Sequence, residues 1–320
     1  MTDLPRRLLV AIGGNATHPG NIRGTPQEQI VIAKATAQSL LPLMELDNEL
    51  VVTHGNGPVV GKIHMRMALS RKRVSPMTLD ICVAQSQGGI AYLLMQALEN
   101  ALREKGNPRH VVCLLTQVEV DPGDPAFRNP TKPIGFFYDE AEARAAGREM
   151  GWIMREDAGR GWRQVVPSPE PRHIVDISLV RAIMEHGDIC IAGGGGGIPV
   201  VRGPKGERRG VEAVIDKDLT SALMAKVLGM EAFLILTEVR RAAIHWGTPR
   251  QREIERATPA QMRAWQREGH FPEGSMGPKV EAACRFVERG GKRAVIAHLE
   301  EAIPALRGKA GTHIVPEGSL

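Results

Sequence analysis

Two carboxylates flank a lysine in Asp216-Lys217-Asp218, directly after the apolar, strand-like run Val211-Glu212-Ala213-Val214-Ile215. A lysine held between opposite charges stays an ammonium and keeps its place. Shortly before it, Gly193 to Gly197 are successive glycines, whose backbone N–H groups no side chain covers. A fixed cation beside open N–H donors suits a phosphoryl group. Either piece alone reads more simply as a solvated charge cluster or a flexible loop; their juxtaposition points to an anion site. Two further lysines stand in comparable settings. Lys279 falls in the first turn of the helix opened by Glu273-Gly274-Ser275-Met276-Gly277-Pro278. A cation there opposes the helix dipole and calls for an anionic partner. Lys132 is pinned between prolines in Asn129-Pro130-Thr131-Lys132-Pro133-Ile134-Gly135, which reads as a rigid hairpin tip. It is either a solvated loop charge or a cation presented to the main site.

Several familiar chemistries are excluded by their missing signatures. No G-x-x-x-x-G-K-[ST] phosphate loop is present, and no G-x-G-x-x-G opens the first βα unit with an acidic residue at the right distance. A G-x-S-x-G elbow and an H-E-x-x-H pair are also absent, against an esterase or a zinc protease. What remains is phosphoryl transfer by positioning and charge neutralisation, which asks for cations and N–H groups and little covalent help.

The elements that must position these groups follow from periodicity. Leu8-Leu9-Val10-Ala11-Ile12 is a buried strand that ends in Gly13-Gly14-Asn15-Ala16, and Glu49 to Thr53 is a second one ending in His54-Gly55-Asn56-Gly57-Pro58. Helical spacing follows each, over Gln27–Leu46 and Val59–Leu69. Strand, glycine loop and helix, repeated, describe a doubly wound sheet that binds ligands at the carboxyl ends of its strands. A long helix spans Pro76–Leu102, and strands are expected at His110–Val120, Asp188–Ala192, Val211–Ile215, Ala232–Leu236 and Arg293–Ala297, with Gly311–Val315 as an edge strand. Asp218 sits where it could cap the helix that runs to Leu228. From 121 to 170 proline, glycine and charge increase, so this stretch is expected to leave the sheet as a small protruding lid subdomain. The expectation is one α/β domain over 1–320 with that insertion.

The chain has 320 residues, 42% hydrophobic and 24% charged, with aromatics at only 4%, so its core must be aliphatic. The net charge of +5 invites a nucleic-acid reading, but Lys and Arg are spread along the chain and nearly balanced by Asp and Glu; no nucleic-acid partner is expected. Cys82, Cys113, Cys190 and Cys284 lie far apart in apolar stretches, as buried reduced thiols do. No signal peptide and no membrane-length apolar run is seen, which sets a cytoplasmic protein with no membrane partner as the expectation.

Over essentially its whole length the chain resembles the carbamate kinases of the amino-acid-kinase superfamily. The resemblance is carried by Gly13-Gly14-Asn15-Ala16, His54-Gly55-Asn56-Gly57-Pro58, Leu115 to Gly135, Glu156-Asp157-Ala158-Gly159-Arg160-Gly161-Trp162-Arg163, Gly194 to Val200, Gly210 to Asp218, and Gly269-His270-Phe271 through Lys279. It implies an open αβα sandwich with a mainly parallel sheet, a homodimer, Mg²⁺ accompanying ATP or ADP, and phosphoryl transfer between ATP and carbamate. The same reaction runs from carbamoyl phosphate and ADP towards ATP. Carried over by motif, Lys217 and Lys279 would flank the moving phosphoryl, Asp218 would orient them, and Lys132 would reach down from the protruding subdomain. Asn15, with Gly13, Gly14, Gly55 and Asn56, would line the small-substrate side. Gly195 and Gly196 would lie around the phosphates, and Asp216, Thr237, Val239 and Met276 near the nucleotide; no bound metal of the protein's own is implied. Two departures bear on specificity. Arg240-Arg241-Ala242-Ala243 stands where the family has an aspartate and soon an aromatic residue, and Val59 stands where glutamine is common. They motivate two competing readings: a kinase of the same fold for another small carboxylate, and a non-catalytic ligand-binding homologue.

Overall fold

The computed structural model describes residues 4–19, 22–157 and 159–319. Its centre is an eight-stranded sheet in the order Arg256–Ala257, Thr312–Ile314, Arg293–His298, Ala232–Thr237, Arg7–Ile12, Glu49–His54, Ile189–Ile191 and Val111–Cys113. Every pairing is parallel except that between Arg293–His298 and Thr312–Ile314. Alternation along the central strands builds two separate cores. Leu9, Ala11, Val51, Phe233 and Ile235 face the helices Ile177–Glu185, Lys217–Leu228 and Met276–Glu288. Leu8, Val10, Ile12, Leu50, Val52 and Leu234 face Pro26–Met44, Leu79–Glu104 and Ala302–Leu306. Strands buried on both faces read as continuous apolar runs, and the result is a three-layer αβα sandwich. Among the described residues no helix is long and apolar enough to cross a membrane. The four cysteines are free thiols, three buried and Cys113 half-buried.

Three smaller sheets accompany it, one of them only the antiparallel pairing of Ala243–Ile244 with Arg252–Glu253. Arg208–Gly210, Ile198–Arg202, Gln117–Val120 and Pro171–Ile174 form a four-stranded sheet. Within 121–170, Lys132–Tyr138, Trp162–Val166 and Met154–Glu156 form an antiparallel three-stranded sheet, accompanied by the helix Glu140–Met150. A third cluster, with Val60, Leu79, Val83, Ile134, Val166 and Val214, joins this unit to the body.

Five expectations are corrected by these pairings. The single strand over His110–Val120 is two strands in two sheets. The buried Gln87 side chain accepts the Thr116 N–H at 3.0 Å, while the Thr116 carbonyl accepts from the Ile198 N–H of the second sheet, so the chain changes sheets there. Val211–Ile215 is no strand; Val211 donates to Pro199 and Val214 to Pro167, isolated bonds that hold an irregular segment whose last three residues are buried. Thr312–Ile314 is not at the edge, because Arg256–Ala257 pairs outside it. Lys132 begins a strand rather than occupying a hairpin tip. The helix Lys217–Leu228 is capped by Asp216, not by Asp218.

Phe233, from the central strand, meets Phe286 edge-on with ring centroids 5.7 Å apart, and both are fully buried. In a core so poor in aromatics, this pair joins the sheet to the helix that carries Lys279. Phe233→Ala should cost about 3–5 kcal/mol, read as a lower urea midpoint with the slope unchanged.

Candidate active site

The carboxyl ends of Arg7–Ile12, Glu49–His54 and Ile189–Ile191 present Gly13–Gly14, Gly55–Asn56 and the glycine run side by side. They border a cavity of about 790 Å³, roofed by Thr131, Lys132, Pro133 and Arg163 and closed on the far side by Gly269 and Phe271 to Ser275. Three helices place their first turns on its wall: Gly57 and Pro58, Lys217 to Leu219, and Gly277 to Lys279. Their positive dipole ends favour an anionic guest.

Asp218 organises the charges. Its Oδ1 accepts from Lys217 Nζ at 2.6 Å, and its Oδ2 accepts from Lys279 Nζ at 3.4 Å. The Lys217 and Asp218 side chains are nearly buried, at 10% and 4% exposure. Burial pushes Lys217 below the ordinary lysine range, with Asp218 opposing the shift. Burial also lowers Lys279, but the Asp218 and Asp216 charges outweigh it and hold this ammonium above its usual range. For Asp218, burial favours the neutral acid; the surrounding lysines overcome that and keep it a carboxylate, well below the usual range. Removing Asp218 would leave Lys217 as an uncompensated buried charge.

Asp216 works in two directions. Its Oδ1 accepts from the backbone N–H groups of Asp218 (2.9 Å) and Leu219 (3.3 Å), while its Oδ2 takes the Lys132 ammonium at 2.5 Å. The residue that starts the helix therefore also anchors the lysine arriving from the small sheet. Two carboxylates thus hold three lysines at the cavity wall.

The glycine run is built to be approached closely. Gly195 has φ +63°, and a Cβ there would lie 2.1 Å from the Asn56 amide nitrogen; only glycine lets the two loops meet. Asn56 donates to Ser86 Oγ, Gln87 donates to the Gly194 carbonyl, and Thr220 donates to the Gly196 carbonyl. The loops are held from behind by a buried polar network.

Lys132, Lys217, Asp218, Lys279, Asp216, Gly13, Gly14, Gly55, Asn56 and Gly195 all line the one cavity. Gly196 is buried just behind it. Thr237 and Val239 lie outside its wall, at the carboxyl end of Ala232–Thr237, and Met276 packs on the core between two lining residues. Asn15 belongs to the tight turn Gly14–Ala16, but its side chain falls outside the described part. Of the two departures, Val59 packs on the second core, Arg240 approaches Glu301 at 3.6 Å, and Arg241 binds Glu255 at 2.7 Å; none of them lines the cavity. Sequence reasoning missed Arg163 as a lining residue. It belongs to a quoted motif, yet only the pairing of Trp162–Val166 with Lys132–Tyr138 turns it inward. Asp157 and the Gly135 carbonyl hold its guanidinium, and its buried Nε has no hydrogen-bond partner among the described residues. Among the described residues no group of three His, Cys, Asp or Glu converges to hold a metal.

His54 ends its strand fully buried, with Nδ1 3.0 Å from the Gly55 carbonyl. Burial pushes its pKa from 6.5 down to about 4, against the help of that hydrogen bond. Between these values the unfolded chain binds the proton and the folded one does not, so stability must fall as pH falls through this window. The drop attributable to His54 between pH 6.5 and 4 should approach about 3 kcal/mol. Urea midpoints measured across that range should slope less in His54→Gln than in the parent; equal slopes would contradict the assignment.

A sequence profile of the amino acid kinase family matches residues 6–298. The carbamate kinase of Pyrococcus horikoshii is 46% identical over 315 residues, covering 98% of this chain and all of that one. Two solved structures of the Giardia lamblia carbamate kinase superpose on the fold. The form bound to citric acid does so with a TM-score of 0.93 at 39% identity, and the form bound to AMP-PNP with 0.89 at 40%; each covers 98% of this chain and 99% of its own. With this identity sustained from end to end, the chain belongs to the amino acid kinase family, among its carbamate kinases.

Proposed function

We propose that this protein is a carbamate kinase that transfers a phosphoryl group between carbamoyl phosphate and ADP. The observation that carries the reading is the single Asp218 carboxylate holding Lys217 and Lys279 over a cavity into which three helices point their N-termini. In the ATP-forming direction the oxygen–phosphorus bond to carbamate breaks as an ADP β-phosphate oxygen bonds to phosphorus. Carbamate leaves as the anion and, on taking a proton from water, decomposes to ammonia and CO₂. Such a transfer needs its partners in line and the equatorial phosphoryl charge compensated. Lys217 and Lys279 supply that compensation from fixed positions, because Asp218 orients both before substrate arrives. Lys132 completes the cationic shell from the small sheet, which we read as a lid over 121–170 of one domain spanning 1–320.

In this reading Gly13, Gly14, Asn15, Gly55 and Asn56 take the carbamoyl end, and Gly195 and Gly196 support the phosphates. Asp216, Thr237, Val239 and Met276 mark the nucleotide side. Mg²⁺ enters with the nucleotide, bound chiefly by its phosphates as this ion commonly is. A homodimer working in the cytoplasm belongs to the same reading.

ATP formation from carbamoyl phosphate and ADP with Mg²⁺, followed by a coupled assay, is the direct test. The parent protein should turn over, and Lys217→Ala should lose on the order of 10²–10³-fold or more in kcat with the fold retained. A folded parent without activity would move the reading to another small carboxylate or to ligand binding alone; full activity in the variant would remove the role given to Lys217.

A further inference from the structure

The helix Gly57–Ser70 carries Gly61 in its interior, where glycine is a poorer helix former than alanine. Its environment supplies the reason. A Cβ on Gly61 would lie 2.0 Å from the Gly135 Cα and 2.2 Å from its nitrogen, where real contacts essentially never fall below 3.0 Å. Gly135 is in the strand Lys132–Tyr138, with φ +73°. Backbone therefore rests on backbone, three residues from the lysine that joins Asp216. The seam continues on both sides. Val60 and Ile134, both fully buried, share a cluster with Val214, close to Asp216 in the chain. His64 stacks on Trp152 at 5.2 Å and bonds Gln164 at 3.2 Å, and Lys62 lies over the Phe136 ring at 5.3 Å.

We propose that the Gly61–Gly135 contact is the seat that sets the height of the small sheet, and that Gly61 is a positioning residue acting through Lys132. The proposal rests on the catalytic reading of Lys132. A side chain at 61 must drive helix and strand apart by at least about 1 Å, the difference between 2.0 and 3.0 Å. Lys132 then retreats from Asp216 and the cavity, and a displacement of that size at a reacting centre is costly.

The test is a double-mutant cycle in the ATP-forming assay with Gly61→Ala, Lys132→Ala and the pair, each checked for folding by circular dichroism and thermal melting. Gly88→Ala, on an exposed face with nothing within 4 Å, is the control for a helical glycine. Gly61→Ala should lower kcat/KM on the order of 10²-fold while Gly88→Ala leaves it unchanged. In the Lys132→Ala background, Gly61→Ala should have no further effect beyond about twofold, because coupled residues do not add. Near-parental activity in folded Gly61→Ala, or losses that multiply in the pair, would overturn the seat while leaving the role of Lys132 in place. A silent Lys132→Ala would remove that role and the seat with it. Should Gly61→Ala fail to fold, His64→Ala replaces it in the same cycle, since it removes a side-chain contact across the seam without adding bulk. The same non-additivity is expected, and independent losses would overturn the proposal.

Discussion

One carboxylate between a buried and a partly buried ammonium group governs the arrangement of this molecule. Asp218 is almost inaccessible to solvent, as is Lys217, and neither charge could be kept there alone. Together with Lys279 they form a set whose members justify one another's burial. The surrounding architecture serves that set: the strand ends bring the glycine loops to it, and helix N-termini face it. Asp216, next in line, starts one of those helices and receives Lys132.

This arrangement separates two tasks that phosphoryl transfer imposes. The cations must be close enough to compensate moving charge, yet they must not collapse onto one another or on the wrong anion. Asp218 solves the second task by occupying Lys217 and Lys279 with opposite oxygens, so their remaining protons are aimed rather than free. The glycine loops leave room for the substrate and are braced from behind by Ser86, Gln87 and Thr220. Rigidity at the back and space at the front are what a positioned, in-line transfer requires.

Much of this could be read from the chain because its signals are local. Leu8–Ile12 into Gly13, and Glu49–Thr53 into His54, announce parallel strands and their ligand-facing turns by composition alone. Asp216-Lys217-Asp218 announces a charged site by adjacency. What escaped depends on contacts distant in sequence. Whether Asp216 or Asp218 caps the helix turns on side-chain direction, and both types are good caps. Where the expected strand breaks, Gln87 takes the Thr116 N–H from 29 residues away. Val211–Ile215 has a strand's composition but no neighbour to pair with, and Arg163 is turned to the cavity by a strand pairing. The roles of Thr237, Val239 and Met276 rest on family resemblance, and none of the three lines the cavity.

The account turns on Asp218 acting through the two lysines, and steady-state ATP formation by Asp218→Asn measures that directly. Asparagine keeps the size and a hydrogen-bonding oxygen but removes the charge that holds both ammonium groups. The account predicts a folded protein whose kcat falls on the order of 10²-fold or more. Parental turnover in folded Asp218→Asn would contradict it, since the lysines would then need no such anchor.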